Sequence, residues 1–292
     1  MKAFALPRRL AKDALTLVAI GVFRPIRDLW RTIRGTHPVR VFTFHRVTDL
    51  CRDTISIPPK AFRERLEYVA RHHDVVDLET ALVALERKQR LRRPLAVITF
   101  DDGYRSVFDY ARPILMERAL PACCFVTTGL VGTDGRFAHD AASPVRSSLQ
   151  VMDWTQLAAL RSLGWSFGAH TATHKRLSQC PPEEYSQEIV APLAELRDRL
   201  GVERVTIAYP YGRRTDIDAR ALDAIVRAGY RACLSNYGGE NFPGDGLFDV
   251  RRFDIGGTHE PLAWRARVHG IDLAVLRGWV PRLAPAARTV TT

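Results

Sequence analysis

Four short stretches of this 292-residue chain carry side chains that could do chemistry together. Asp101 and Asp102 stand side by side at the end of an apolar run and are followed by Gly103. Adjacent residues leaving a strand point to different sides, so the pair could divide labour, one carboxylate binding a metal and the other taking a proton from water. A solvated turn is the plainer use of the same three residues. His170 and His174 are four residues apart, a separation that lets both imidazoles reach one ion if the segment turns helically. A carboxylate from elsewhere would complete three protein ligands and leave a position open, the arrangement of a catalytic rather than a structural zinc site. Histidine pairs also sit hydrogen-bonded on protein surfaces. His45 follows one apolar run and Tyr209-Pro210-Tyr211-Gly212 follows another.

Each of these groups directly follows a candidate strand. Short apolar runs predict strands at Val39–Phe44, 74–77, Leu95–Phe100, 122–127, Ser166–Ala169, 205–208, 231–234 and 247–250. Helical spacing predicts helices over 61–71, 78–90, 107–119, 155–163, 183–200 and 218–228, several opened by Pro, Asp or Thr. Strand and helix alternate without an internal linker, which is the pattern of an α/β fold with a parallel sheet. So many units in one run favour a closed barrel over an open sheet. In a barrel the loops at the C-terminal ends of the strands build the site, so all the residues above would meet at one mouth. The long irregular stretch 129–153 would edge it.

Thr99-Phe100-Asp101-Asp102-Gly103-Tyr104, His170-Thr171-Ala172-Thr173-His174 and Tyr209-Pro210-Tyr211-Gly212 resemble, in order and spacing, the first three motifs of the polysaccharide deacetylases. This is the NodB-homology domain of the family-four carbohydrate esterases, and the resemblance covers residues 39–255. It implies a distorted (β/α) barrel. It also implies Asp102, His170 and His174 as ligands of a divalent metal, usually Zn2+ with Ni2+, Co2+ or Mn2+ as alternatives, and Asp101 as the base that activates water. The backbone N–H of Tyr211 would donate to the oxyanion; the other reading of Tyr211 is a plain proline-containing turn. Amide chemistry needs such parts, because an amide is a poor electrophile and its attacking water must lose a proton.

Two departures from the family pattern stand out. An arginine usually precedes the Pro-Tyr of the third motif, where this chain has Ala208-Tyr209. Arg252 is either its substitute or an ordinary ion-pair residue. No Leu-x-x-His motif appears late in the chain to supply the usual acid, and His259 and His269 read as surface residues. Phe42-Thr43-Phe44-His45-Arg46-Val47 is similar to the aromatic-His step of the permuted branch that includes the poly-β-1,6-N-acetylglucosamine deacetylases. That likeness implies His45 as the acid, with an alkaline limb in the rate profile, and an exopolysaccharide or cell-envelope substrate. A hydrogen-bonded histidine at a strand end is the alternative for His45, with His139 next in line for the acid role.

Charge bears on partners. Lys plus Arg number 43 against 32 acidic residues, a net +11. Residues 1–34 hold eight basic and two acidic side chains, so more than half of the excess lies there. With no helix-turn-helix, finger or RNA-recognition signature in the body, the reading is no nucleic-acid partner. The five cysteines form no CxxC pair and read as buried, reduced thiols. Composition, with 46% hydrophobic and 26% charged residues, excludes a disordered chain, and the core is large enough that a metal would serve chemistry rather than folding.

Within residues 1–34, Leu15, Val18, Val22, Ile26, Leu29, Trp30 and Ile33 recur at helical spacing with arginines between them. The apolar run 14–23 is too short to span a bilayer, and no small-x-small cleavage site follows. An interfacial amphipathic helix, a helix packed on the domain and an export signal are the three readings. The first makes residues 1–34 dispensable for folding and gives peripheral membrane contact, which places the protein in the cytoplasm or at the inner face of the membrane, with export left open.

The expected organisation is a basic extension over 1–38, a catalytic domain over 39–260, and a C-terminal helix and tail over 261–292. The expected function is metal-dependent removal of N-acetyl groups from N-acetylhexosamine units of a glycan or glycolipid. An amidase or deformylase acting on another C–N bond and a catalytically idle glycan-binding module are the rivals.

Overall fold

The structure, a computed structural model, describes residues 8–257 and 260–271, with side chains from Asp13 onward. Seven parallel strands form its centre: β1 Val39–Phe44, β2 Leu95–Phe100, β3 Cys123–Val126, β4 Ser166–Ala169, β5 Thr206–Ala208, β6 Cys233–Leu234 and β7 Arg252–Asp254. They lie side by side in the order β7-β1-β2-β3-β4-β5-β6, and the short strand Asp74–Val75 adds to the start of β2. Residues 250–254 nearly close the circle. The Val250 N–H donates to Cys233 at 3.0 Å and its carbonyl accepts from Ser235 at 2.9 Å, while β7 pairs with Val41–Thr43 of β1. This is the distorted (β/α) barrel expected from the alternation of strands and helices.

Strand alternation sorts the core into two clusters. Val39, Val41, Val97, Cys123 and Phe125 pack together with Ala208 and Leu234 inside the barrel, and helix Leu78–Glu86 contributes Leu78, Leu82 and Leu85 to the same cluster. That helix lies across the starting ends of the strands, where Glu79 and Glu86 pair with Arg204 and Arg231 just before β5 and β6. Phe42, Phe44, Ile98, Phe100 and Val126 take the opposite parity and pack beneath the flanking helices. Both faces of the central strands are buried, which is why apolar residues dominate them. Gly168 of β4 has no room for a side chain, since a Cβ there would come within 2.5 Å of the Phe125 ring.

Several expectations are corrected. The segment 247–250 is a 3-10 turn, Leu247–Asp249, and the last strand comes later, at β7. Helix 107–119 opens with a π-type turn, Val107–Ala111, before Arg112–Met116. The region 183–200 is likewise broken into short turns before the helix Ala191–Leu200. A C-terminal helix is present at Pro261–Val268, whereas residues 272–292 and His259 lie outside the described residues.

His269 is not a surface residue. It is 2% exposed, Arg24 donates to its ring at 3.0 Å, and burial with Arg24 close by pushes its pKa down to about 2.

The N-terminal segment runs as helix Arg8–Val18, a π-type turn Ala19–Phe23 and helix Arg24–Arg34. It docks on the barrel through arginines. Arg27 donates to the His269 carbonyl at 2.9 Å, and Arg31 makes two bonds to Glu240, at 2.9 and 3.1 Å. Arg40, at the start of β1, grips the same carboxylate. Burial alone would raise the Glu240 carboxyl, yet Arg40 and Arg31 hold it below its ordinary value.

Residues 1–34 are therefore expected to add stability without being required for folding. Their removal takes one arginine from a buried carboxylate, at a cost of ~2 kcal/mol for a charge-assisted bond. The truncated protein is expected to fold but to melt ~5 °C lower; an unchanged Tm would show that the docked arginines contribute nothing.

Candidate active site

Register sets the level of the mouth. Phe44 lies opposite Phe100, so His45 and Asp101 leave adjacent strands at the same height. Val126 lies opposite Ala169, and the His170 N–H still donates to Val126 at 2.8 Å before the chain turns away. His45, Asp101, Asp102, His170, His174 and Tyr211 all line one cavity of about 910 Å³ at the C-terminal ends of the strands.

Asp102 and the two histidines converge. Their candidate ligand atoms lie within 4.8 Å of one another, with Asp102 Oδ1 3.5 Å from His170 Nε2 and 3.3 Å from His174 Nε2. The convergence does not come from a helical turn after β4, as the spacing suggested. Thr171 and His174 instead adopt left-handed backbone, with φ of 60° and 63°, and bend the segment so that both rings face Asp102. Asp102 is itself left-handed, with φ of 73°, which separates its side chain from that of Asp101.

The polar atoms of this cluster suit a cation. His170 donates from Nδ1 to the Ala208 carbonyl at 2.6 Å, so in the neutral ring Nε2 presents a lone pair. Burial, against the opposing pull of Asp101, pushes His170 down to about 4, and burial with His170 beside it pushes His174 down to about 2, so both rings are neutral. Neither oxygen of the buried Asp102 accepts a hydrogen bond among the described residues, and burial with Asp101 beside it raises its pKa well above the ordinary value. Three side chains of the right types thus converge on one point, where a cation would take the place of the proton that burial favours on Asp102. Two histidines and a carboxylate are the ligand set of catalytic zinc and related divalent ions.

Asp101 meets the opposite environment. Arg252, fully buried, holds it with two bonds, Nη1 to Oδ1 at 2.7 Å and Nη2 to Oδ2 at 2.8 Å. Arg252 is fixed in turn by its Nε bond to the Ser235 carbonyl at 2.7 Å and by the Phe125 ring beneath it. Burial would raise the Asp101 carboxyl, but Arg252 and then His170 bring it down to about 2. The open question about Arg252 is resolved by position: it occupies the interior parity of β7, and its guanidinium reaches across to the end of β2.

Further side chains surround these groups. Arg46 is buried beside Asp140 and Asp53, and its guanidinium lies over the Tyr104 ring. Tyr104 donates to Asp140 at 2.5 Å and accepts from His139 Nε2 at 2.9 Å. Through these bonds the stretch 129–153 is tied to the mouth, as its length suggested. His139 comes within 3.9 Å of Asp102 Oδ2, nearer than its place in a loop implied, but its Nε2 is engaged by Tyr104.

His45 is half-buried, and its Nδ1 has no partner among the described residues. Burial lowers its pKa, against the opposing pull of Asp101 and Asp254. Asp254 lines the same cavity from β7, two residues beyond Arg252. Tyr211 is left-handed, with φ of 65°; its ring meets His174 at 5.0 Å and carries the Arg176 guanidinium on its face. The next residue, Gly212, has φ of 72°, and a Cβ there would strike Asn236 at 2.4 Å, so the turn that presents Tyr211 requires glycine.

Comparison with known proteins agrees with this architecture. YxkH of Bacillus subtilis, which carries a polysaccharide deacetylase name, is 21% identical over 241 residues, covering 81% of this chain and 79% of its own. The poly-β-1,6-N-acetyl-D-glucosamine N-deacetylase of Staphylococcus aureus is 24% identical over 184 residues, 60% of this chain and 59% of that enzyme. Among solved structures, IcaB from Ammonifex degensii superposes with a TM-score of 0.65 at 24% identity, covering 80% of this chain and 96% of that one. The Streptococcus pyogenes deacetylase PplD gives 0.64 at 20% identity, over 81% and 98%. The polysaccharide deacetylase family model matches residues 88–233, half of the sequence and the part that holds both aspartates, both histidines and the Tyr211 turn, so the chain belongs to the polysaccharide deacetylase family.

Proposed function

We propose that this protein hydrolyses N-acetyl groups from N-acetylhexosamine units of a cell-envelope or exopolysaccharide glycan, with a divalent cation at Asp102, His170 and His174. One observation carries the reading: a carboxylate locked by a buried arginine stands next to two imidazoles and a second buried carboxylate that converge on one point, the latter with neither oxygen accepting a hydrogen bond among the described residues. A cation on those donors, Zn2+ by ligand type, supplies Lewis acidity to the amide carbonyl and to the attacking water.

The chain's own groups do the rest. Asp101 takes the proton of the water as the new C–O bond forms. The backbone N–H of Tyr211 serves as a donor to the developing oxyanion. The C–N bond then breaks to give acetate and an amine, which leaves only when protonated. A carboxylic acid with a pKa of about 2 does not keep its proton, so Asp101 passes it on, and His45 is the group in the same cavity suited to carry it to the nitrogen. Because burial lowers the His45 pKa, the ring is neutral when the substrate arrives and can accept that proton. This differs from a histidine that begins as the charged acid. The staphylococcal relative, named for deacetylation of poly-β-1,6-N-acetyl-D-glucosamine, supports a glycan of that class.

The test is acetate release from a panel of acetylated oligosaccharides, with and without chelator, and with Zn2+, Ni2+, Co2+ or Mn2+ restored. Formate from a formylated substrate, with no acetate from any glycan, would favour the amidase or deformylase reading; no turnover in the metal-loaded protein would favour the idle module. His45→Ala is expected to keep metal and KM while kcat falls ~10²-fold. A neutral His45 is lost as the pH drops through its lowered pKa, so its limb lies on the acid side, below its ordinary value, and the variant should lack it. An unchanged kcat with the same acid limb would move the role elsewhere, with His139 next.

A further inference from the structure

The N-terminal helix is docked inside out. Its arginines Arg24, Arg27 and Arg31 turn toward the barrel and are taken up by His269 and Glu240. Its apolar residues turn away: Val22, Phe23, Ile26, Leu29, Trp30 and Ile33 are each between 52% and 71% exposed. Nothing in the folding of the barrel requires this face, and side chains so large would be expected inside a core. No helix among the described residues is long and apolar enough to cross a membrane.

A second, independent feature adjoins it. The turn after helix Leu78–Glu86 presents Arg87, Lys88, Arg90 and Arg92, all exposed. It is pinned to the end of the N-terminal helix, for the Leu91 N–H donates to Gly35 at 2.8 Å and Arg90 donates to the Arg34 carbonyl at 3.0 Å. Arg34 in turn lies over the exposed Trp30 ring at 4.4 Å. An apolar helix face thus continues into a cationic rim. A second copy of the chain would set two such rims against each other, whereas a surface of anionic headgroups over an apolar interior matches both parts at once.

We propose that this face, residues 17–34 together with the turn 87–92, docks on an anionic bilayer. Thr36 and Leu91 precede β1 and β2, so the contact lies at the starting ends of the strands. The cavity lined by Asp101, Asp102 and His170 lies at the other ends, ~17 Å of strand away. On the functional reading above, the bound protein keeps its mouth open to glycan in solution.

The test floats full-length protein with vesicles of phosphatidylcholine alone and of phosphatidylcholine mixed with phosphatidylglycerol. Binding is expected to the mixed vesicles only and to weaken with salt. A triple variant, Phe23→Ser, Ile26→Ser and Trp30→Ser, is expected to lose ~10-fold or more in vesicle affinity, and Arg87→Glu with Arg92→Glu a similar factor. Both substitute exposed side chains, and their melting temperatures should match the parent. Acetate release from a soluble oligosaccharide should be the same with and without vesicles; absence of acetate would count against the functional reading and leave the flotation result intact. Vesicle affinity unchanged in both variants would overturn the proposal. So would a lipid-free dimer that the triple variant dissociates, or binding that appears only after residues 272–292 are removed, since these would name a second copy or the chain's own tail as the occupant.

Discussion

Asp101→Asn is expected to retain the metal and lose ~10²-fold or more in kcat, whereas Asp102→Ala, His170→Ala and His174→Ala are each expected to lose the metal together with the rate. The two carboxylates are neighbours in sequence but opposites in environment. Both oxygens of Asp101 are engaged by Arg252, while those of Asp102 accept nothing among the described residues and face two neutral imidazoles. Metal content by elemental analysis separates the roles, and equal loss in all four variants would show that they are misassigned.

A second readout needs no substrate. Asp102 has its folded pKa raised, so the stability it contributes is present at low pH and is lost as pH climbs through that raised value. Asp101 has its pKa lowered, and its contribution is lost only as pH falls toward about 2, outside the range of interest. Chelated protein should therefore melt progressively lower as pH is raised above the ordinary carboxylate range, and metal-loaded protein should not, because the cation takes the place of the missing proton. Equal pH dependence in both forms would remove Asp102 from the ligand set.

The parts of this site that were legible in the sequence are those whose position follows from a strand ending. β1, β2 and β4 were bounded correctly because short, mostly apolar stretches, buried on both faces, admit few alternatives, and the polar residue after each is then at the mouth. Arg252 was legible only as one of two alternatives, a substitute for the motif arginine or an ordinary ion-pair residue, because the last strand was placed at 247–250. Moved to Arg252–Asp254, strand parity would have put Arg252 and Asp254 on one face, with Asp254 at the strand's end and so at the mouth. The bend that aims His174 was hidden for a different reason: Thr and His at positive φ give no compositional sign, unlike glycine. The inward face of the N-terminal helix was hidden too, since helical spacing gives two faces but does not say which one packs. Burial of Glu240 between Arg31 and Arg40 decided it, and that pairing spans some 200 residues of sequence.

Arg252→Leu is expected to have the largest effect on the site without touching a metal ligand. It leaves Asp101 buried beside the barrel interior with no cation of its own, and an uncompensated buried charge of that kind costs ~3–5 kcal/mol. The carboxyl escapes part of that cost by holding a proton, so its pKa should climb from about 2 past the usual carboxylate range, driven by the burial that Arg252 now overrides. A protonated Asp101 cannot accept a proton from water. The acid limb of the rate profile that belongs to Asp101 should therefore move upward, with kcat at neutral pH down ~10²-fold and metal content unchanged. Arg252→Lys separates charge from geometry. An ammonium keeps Asp101 ionised but cannot make the paired Nη1 and Nη2 bonds, so the limb should move little while kcat still falls. Pairing Arg252→Leu with Asp101→Asn should restore much of the lost stability and none of the activity, because it removes the stranded charge along with the base. If Arg252→Leu kept the parent kcat and its acid limb, the buried pair would be a structural device of the barrel, and the low pKa of Asp101 would have no part in the reaction.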